Sequence, residues 1–323
     1  MKLPIVLLLT LFLSGCAAQA APVETTVPET TVAETAVPET IAVEEEAEAM
    51  MEAPEPALPV ILECSAPGVD VAVSDAAEID YSNRADGYVM VRYTAETEKR
   101  LKVRVSRQTT YTYNLTPGQW TVFPLSDGDG TYKVTIYRNT SGSEYATVMS
   151  CNFSVTLEDE FAPFLRPNQY VDYSCAPEAM ALGTELCTGI AHPLEKVAAV
   201  YDYVVAELSY DYDKASTVKS GYLPVLDTVL AERKGICFDY ASLMAGILRS
   251  QQVPCKLVVG YAGRTYHAWI SVWTEENGWV DGVIFFDGHT WKRMDPTFAS
   301  SQHNSEEILD FIENGTYTVK YLY

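Results

Sequence analysis

Basic residues are scarce in this sequence, and near its start they are almost missing: no Lys or Arg occurs between Lys2 and Arg84. Over all 323 residues, 22 basic side chains face 44 acidic ones, a formal charge of −22. Phosphate recognition needs a Lys/Arg footprint, so this balance argues against a nucleic-acid partner. It equally disfavours docking of the folded part on an anionic lipid surface. Histidine is sparse, with four in the chain, and no His and Cys stand at metal-ligand spacing, so neither metal nor cofactor is expected. No apolar run approaches the roughly 20 residues of a membrane-spanning helix. Aromatic residues are absent from 17–57. The apolar share is ordinary, 48% against 20% charged, which suffices for a buried core in two modest domains.

The one pronounced apolar run, Ile5 to Leu13, follows Lys2 and ends in Ser14-Gly15-Cys16. A basic start, a short apolar segment and small residues at its end describe a signal peptide over residues 1–16. Leu13-Ser14-Gly15-Cys16 also resembles the bacterial lipoprotein box, which implies diacylation of Cys16. Two acyl chains on one residue suffice for stable anchoring. The expectation is therefore a chain held on the outer face of the cell membrane by an N-terminal lipid anchor. The alternative is an ordinary signal peptide that happens to contain a cysteine. Residues 17–57 repeat Val-(Pro/Ala)-Glu-Thr, with Glu at 24, 29, 34, 39 and 44. A five-residue period fits neither a helix face nor strand alternation. Proline, threonine and like charge favour an extended, solvated tether, reaching on the order of 120 Å at about 3.1 Å per residue.

From residue 58 to 157 the pattern becomes short alternating runs rich in Val, Tyr and Thr: 88–93, 101–105, 120–123 and 132–137. Turn signals separate them, which predicts a small antiparallel β-sandwich. Asp127-Gly-Asp-Gly130 superficially suggests part of a calcium loop, but the closing Glu is missing and a hairpin turn fits better. Nothing in this domain carries chemistry, and a spacer or adhesive role is the default.

Residues 158–323 change period. Glu178 to Cys187 and a segment starting near Pro193 read as helices, the second with Val197, Val200, Tyr201, Val204, Val205 and Leu208 on one face. After Gly235-Ile236-Cys237, residues Tyr240, Leu243, Met244, Ile247 and Leu248 trace another apolar helix face. Cys237 thus falls at the start of a buried helix. Free N–H groups and the helix dipole favour a thiolate there, and could receive an oxyanion. Two strand patterns follow, 255–261 and 266–273, with His267 opening the second. Asp295 ends a third pattern, before Pro296. A thiolate nucleophile wants such a histidine and such an orienting acid.

Gly-Ile-Cys-x-Asp-Tyr-Ala, His-Ala-Trp and Asp-Pro-Thr, in this order, place Cys237, His267 and Asp295 30 and 28 residues apart. The triplet resembles the transglutaminase-like (papain-like thiol) superfamily over roughly residues 160–300. The resemblance implies an α+β fold in which a Cys-bearing helix packs on an antiparallel sheet carrying His and Asp. It implies acyl-enzyme chemistry on an amide, and the leading expectation is a cell-surface enzyme acting on protein or peptide amides, with the cell wall as one setting. The acyl group would pass to an amine or, as in a cysteine protease, to water. The same fold without chemistry, as a surface binding or scaffold module, is the competing reading.

Several residues around this triplet stay open. Tyr222 and Tyr266 are candidate oxyanion or substrate-positioning groups. Asp239 and Tyr240 suit capping and packing. Trp269, Trp273, Trp279 and Trp291 either line a dry channel or belong to the core. Asp281 and Asp287 are rival acids; His192, His289 and His303 read as surface or loop residues. The cysteine count is odd at seven. Export permits disulfides. Cys64 with Cys151 is one candidate pair; Cys175 and Cys187 flank one helix, and Cys255 reads as a free core thiol.

Overall fold

The computed structural model describes residues 58–281, 284–286, 291–293 and 316–323. Cys16, the tether and Asp295 lie outside them, as do Asp287, His289 and His303.

Eight strands come first: β1 (Val71–Val73), β2 (Ala77–Asp80), β3 (Tyr88–Tyr93), β4 (Leu101–Ser106), β5 (Thr110–Leu115), β6 (Thr121–Pro124), β7 (Gly130–Ser141) and β8 (Glu144–Val155). They form two four-stranded antiparallel sheets, β1-β2-β3-β6 and β5-β4-β7-β8. The alternation seen in sequence sets the inner face. Leu101, Val103 and Val105 of β4 are buried while Arg104 is exposed, and Tyr111, Tyr113 and Leu115 of β5 follow the same period. Asp127-Gly-Asp-Gly130 is a turn into β7. Its carboxylates are spent on the chain itself: Asp127 accepts from the Gln108 and Thr109 N–H groups and the Tyr111 hydroxyl, and Asp129 from the Leu157 N–H.

The second half runs α1 (Pro177–Cys187), α2 (Pro193–Glu207), β9 (Ser209–Tyr210), α3 (Tyr212–Thr217), α4 (Leu226–Glu232), β10 (Lys234–Gly235) and α5 (Cys237–Ser250). Then come β11 (Cys255–Ala262), β12 (Thr265–Thr274), β13 (Gly278–Asp281), β14 (Ile284–Phe286), β15 (Trp291–Arg293) and β16 (Tyr317–Leu322). An antiparallel sheet ordered β13-β12-β11-β16 carries α5 against β11 and β12. The architecture is α+β, with a helix beginning at cysteine on an antiparallel sheet bearing His267. Prolines open α1 and α2, where their missing N–H costs nothing. Every residue of α5 from Asp239 to Ser250 is buried, the mark of a central core helix.

Arg249 locks that helix in place. Fully buried, it donates to the main-chain oxygens of Cys255 (2.9 Å), Arg166 (2.7 Å) and Tyr323 (2.6 Å). Burial pushes its pKa down to about 10. The sandwich is not insulated from this half. One continuous apolar core runs through both, and the Tyr113 ring on β5 lies 5.6 Å from that of Tyr170 and 5.8 Å from that of Tyr323.

All six described cysteines are free thiols, which corrects both expected pairings. Cys187 closes α1 and Cys175 lies just before it, so an 11-residue helix separates them by about 15 Å, beyond disulfide reach. Cys151 sits opposite Val134 in the β7–β8 ladder, while Cys64 interacts with Arg166 outside that sheet.

Candidate thiol active site

Cys237 is the first residue of α5, half-buried. Ile236, in extended conformation, is its N-cap. Asp239 at the third helical position reaches back, and its Oδ2 accepts the Ile236 N–H at 2.8 Å. Gly235 is required by this fold-back, because a Cβ there would stand 2.7 Å from the Asp239 Cβ. The N–H groups of such a first turn have no intrahelical acceptor. The positive end of the dipole therefore falls where the sulfur sits.

His267 lies on β12, directly opposite Gly260 on β11. It is buried at 4% exposure, and its ring stacks 6.2 Å from that of Trp269. Cys237 and His267 line one cleft of about 550 Å³. Most of its ring-bearing wall is tyrosine: Tyr170, Tyr210, Tyr222, Tyr266 and Tyr323, with Phe238 beside the cysteine. Burial, followed by the charges of Tyr321, Tyr261 and Cys237, raises the Tyr266 pKa. The two tyrosines singled out from sequence, Tyr222 and Tyr266, both reach the cleft. Trp269, Trp273 and Trp279 are not among the described residues that line it. Trp269 packs on Tyr317 and His267, and Trp273 and Trp279 pack on Phe161, with Trp279 also on Phe164.

Sequence reasoning does not single out Lys214. Its ammonium lies 2.7 Å from Oδ2 of the fully buried Asp239 and donates to the Tyr222 hydroxyl at 2.5 Å. That hydroxyl in turn donates to Asp239 Oδ1 at 2.5 Å. A buried carboxylate demands a cation. The Asp239 position in the motif is therefore a signal that a lysine or arginine will be recruited, though not which one.

Asp295 lies outside the described residues. β15, just before it, pairs with β14, and the rival acid Asp281 ends β13 opposite Ser271 in register. His192 caps α2 by accepting the Leu194 N–H and faces Glu276, away from this chemistry. Among the described residues no three His, Cys, Asp or Glu side chains gather as a metal site.

A helix-borne thiol and a strand-borne histidine thus line one cleft. The chain carries a transglutaminase-like superfamily domain: the family model matches residues 180–282, taking in Cys237 and His267 and ending before Asp295. A Pseudomonas aeruginosa protein-glutamine gamma-glutamyltransferase is 29% identical over 149 residues, covering 42% of this chain and 20% of that protein. The chain thus spans about a fifth of the relative's length. Among solved structures, a Cytophaga hutchinsonii protein provisionally called a cysteine protease matches at 17% identity and TM-score 0.35, over 65% of this chain and 71% of that one. Red sea bream transglutaminase matches at 12% identity and TM-score 0.28, over 72% and 56%.

Proposed function

We propose that the protein is an exported, lipid-anchored thiol enzyme that acts on protein or peptide amides through an acyl-enzyme on Cys237. The observation that carries this reading is the shared cleft, lined by Cys237 at a helix N-terminus and by His267 on β12. The Cys237 thiolate attacks the amide carbonyl carbon, and the carbonyl oxygen becomes an oxyanion facing the first-turn N–H groups. His267, protonated on forming the thiolate, returns that proton to the departing nitrogen as the C–N bond breaks. The amine leaves and a thioester remains. A second amine, or water, then attacks the thioester, gives its proton to His267, and releases the sulfur. Asp295 is the residue proposed to orient the imidazole. The signal segment and Cys16 would place this chemistry outside the cell, with residues 17–57 as the spacer.

The test offers glutamine-containing peptides and a fluorescent primary amine to the wild-type protein and to Cys237→Ala. Amine incorporation or ammonia release that vanishes in Cys237→Ala supports the reading, and their ratio identifies the acceptor. Turnover that survives the substitution overturns it.

A further inference from the structure

Asp239 sets an electrostatic conflict inside the first turn of α5. A carboxylate there suits the helix dipole and caps the Ile236 N–H. The same negative charge, two residues from Cys237, opposes ionisation of that thiol. Burial sharpens the opposition, since Asp239 is fully enclosed and water does not screen it.

The ionisable groups near Cys237 come from several elements. On its own helix stands Asp239. From α3 comes Lys214, and from the following loop Lys219 and Tyr222; from β12 come Tyr266 and His267. No carboxylate is among the described residues lining the cleft. Lys214 is the cation that touches Asp239, at 2.7 Å. Its backbone is pinned as well. Asp211 accepts the Lys214 N–H at 2.9 Å as the α3 cap, and Asp211 is itself 3.2 Å from the Lys234 ammonium on β10. Burial works against the Lys214 charge, but hydrogen bonding to Asp239 and Tyr222 outweighs it and its pKa rises. Burial and the bond to Asp239 push the Tyr222 hydroxyl up to about 12, so it stays a donor at neutral pH.

We infer that Lys214 is a positioning residue for the thiol chemistry: its ammonium cancels the Asp239 charge, leaving the helix N-terminus to act unopposed on the Cys237 sulfur. The same ammonium fastens the Tyr222 wall of the cleft to the first turn. This rests on Cys237 being the nucleophile.

The test is the rate of Cys237 alkylation by iodoacetamide in the full chain, about one pH unit below the midpoint of the wild-type rate–pH curve, read by peptide mass spectrometry. Lys214→Met, which leaves the carboxylate unanswered, is expected to label about tenfold more slowly. Asp239→Asn keeps the cap acceptor and the lysine, and is expected to label several-fold faster than wild type. The double variant is expected to return to within about threefold of wild type, near the sum of two opposed charge changes. A purely structural ion pair predicts instead that both single variants slow labelling together. Asp239→Asn labelling more slowly than wild type, or Lys214→Met labelling at the wild-type rate, overturns the inference. If Lys214→Met does not fold, Asp239→Asn and the double variant decide alone, since neither buries a lone carboxylate. A wild-type thiol no faster than free cysteine overturns the nucleophile reading and this inference with it, a result distinct from failure of the charge pattern.

Discussion

Gly260 stands opposite His267 across the β11–β12 ladder, and a Cβ on it would collide with the Thr318 carbonyl oxygen and lie 2.9 Å from Trp269 Cη2. The ladder between β11 and β16 shifts register at this point, between Val259 and Gly260. The missing side chain lets β16 close on the strand behind His267. The obstacle is a strand main chain, which cannot swing aside as a side-chain tip can.

Gly260→Ala should therefore destabilise the fold by about 2 kcal/mol or more, in the range of overpacked cores. Denaturant midpoints measure this. The variant should also label more slowly at Cys237, because His267 shares the displaced ladder. An unchanged midpoint would contradict the seating of β16 against Gly260.

Much of this fold is legible in the sequence. The run at 101–105 becomes β4 because alternation of apolar and polar residues admits one face inward, and the nearly unbroken apolar run at 88–93 becomes β3, buried on both faces. Cys237 is legible as a helix start because Gly235 breaks the chain and the apolar period begins at Tyr240. The contents of the cleft wall are not legible. Tyr170, Tyr210 and Tyr323 come from three distant segments that only tertiary packing gathers. Lys214 escapes notice for the same reason, being 25 residues from the carboxylate it meets. The tryptophans of β12 and β13 read equally well as channel or core, and packing on Phe161, Phe164 and Tyr317 draws them away from the cleft.

The sandwich and the thiol half share Tyr113, Tyr170 and Tyr323 in one aromatic cluster. Both should unfold in a single transition, and Tyr113→Ala should destabilise it by about 3 kcal/mol or more. Circular dichroism of the sheets and the fluorescence of the buried Trp269 are the two probes. Separate midpoints would show that the halves fold independently.

Stability should fall steeply at alkaline pH. Burial pushes the Tyr170 and Tyr173 hydroxyls up to about 12 and raises Tyr111, Tyr113, Tyr132 and Tyr323 as well. Above pH of about 10 the unfolded chain releases phenolic protons that the folded chain retains, so stability falls as pH rises. Lys214 acts in the same direction, because its raised pKa gives stability that is present below its unfolded value and lost above it. Melting temperature should vary little from these groups below pH of about 9 and fall above about 10, with the share of tyrosinate absorbance that comes from the buried rings rising in step with unfolding. Ionisation of all 21 tyrosines near pH of about 10 without loss of structure would contradict the burial of these rings.

Cys16→Ser should release the protein from membranes, and deleting residues 17–57 should leave the melting temperature unchanged. Cell fractionation and thermal melts read the two outcomes. Continued membrane retention would sink the lipid-anchor proposal, and a large drop in melting temperature would show that the tether is structural.

The most direct measurement is the alkylation rate of Cys237 against pH, with and without His267→Ala, followed by peptide mass spectrometry. Labelling that stays rapid well below the pH of about 8.5 at which a free thiol titrates, and that is lost in His267→Ala, is the result expected of a working thiolate–imidazole pair. Slow labelling that the histidine substitution leaves unchanged would contradict it, and would make the cleft a binding surface rather than an active site.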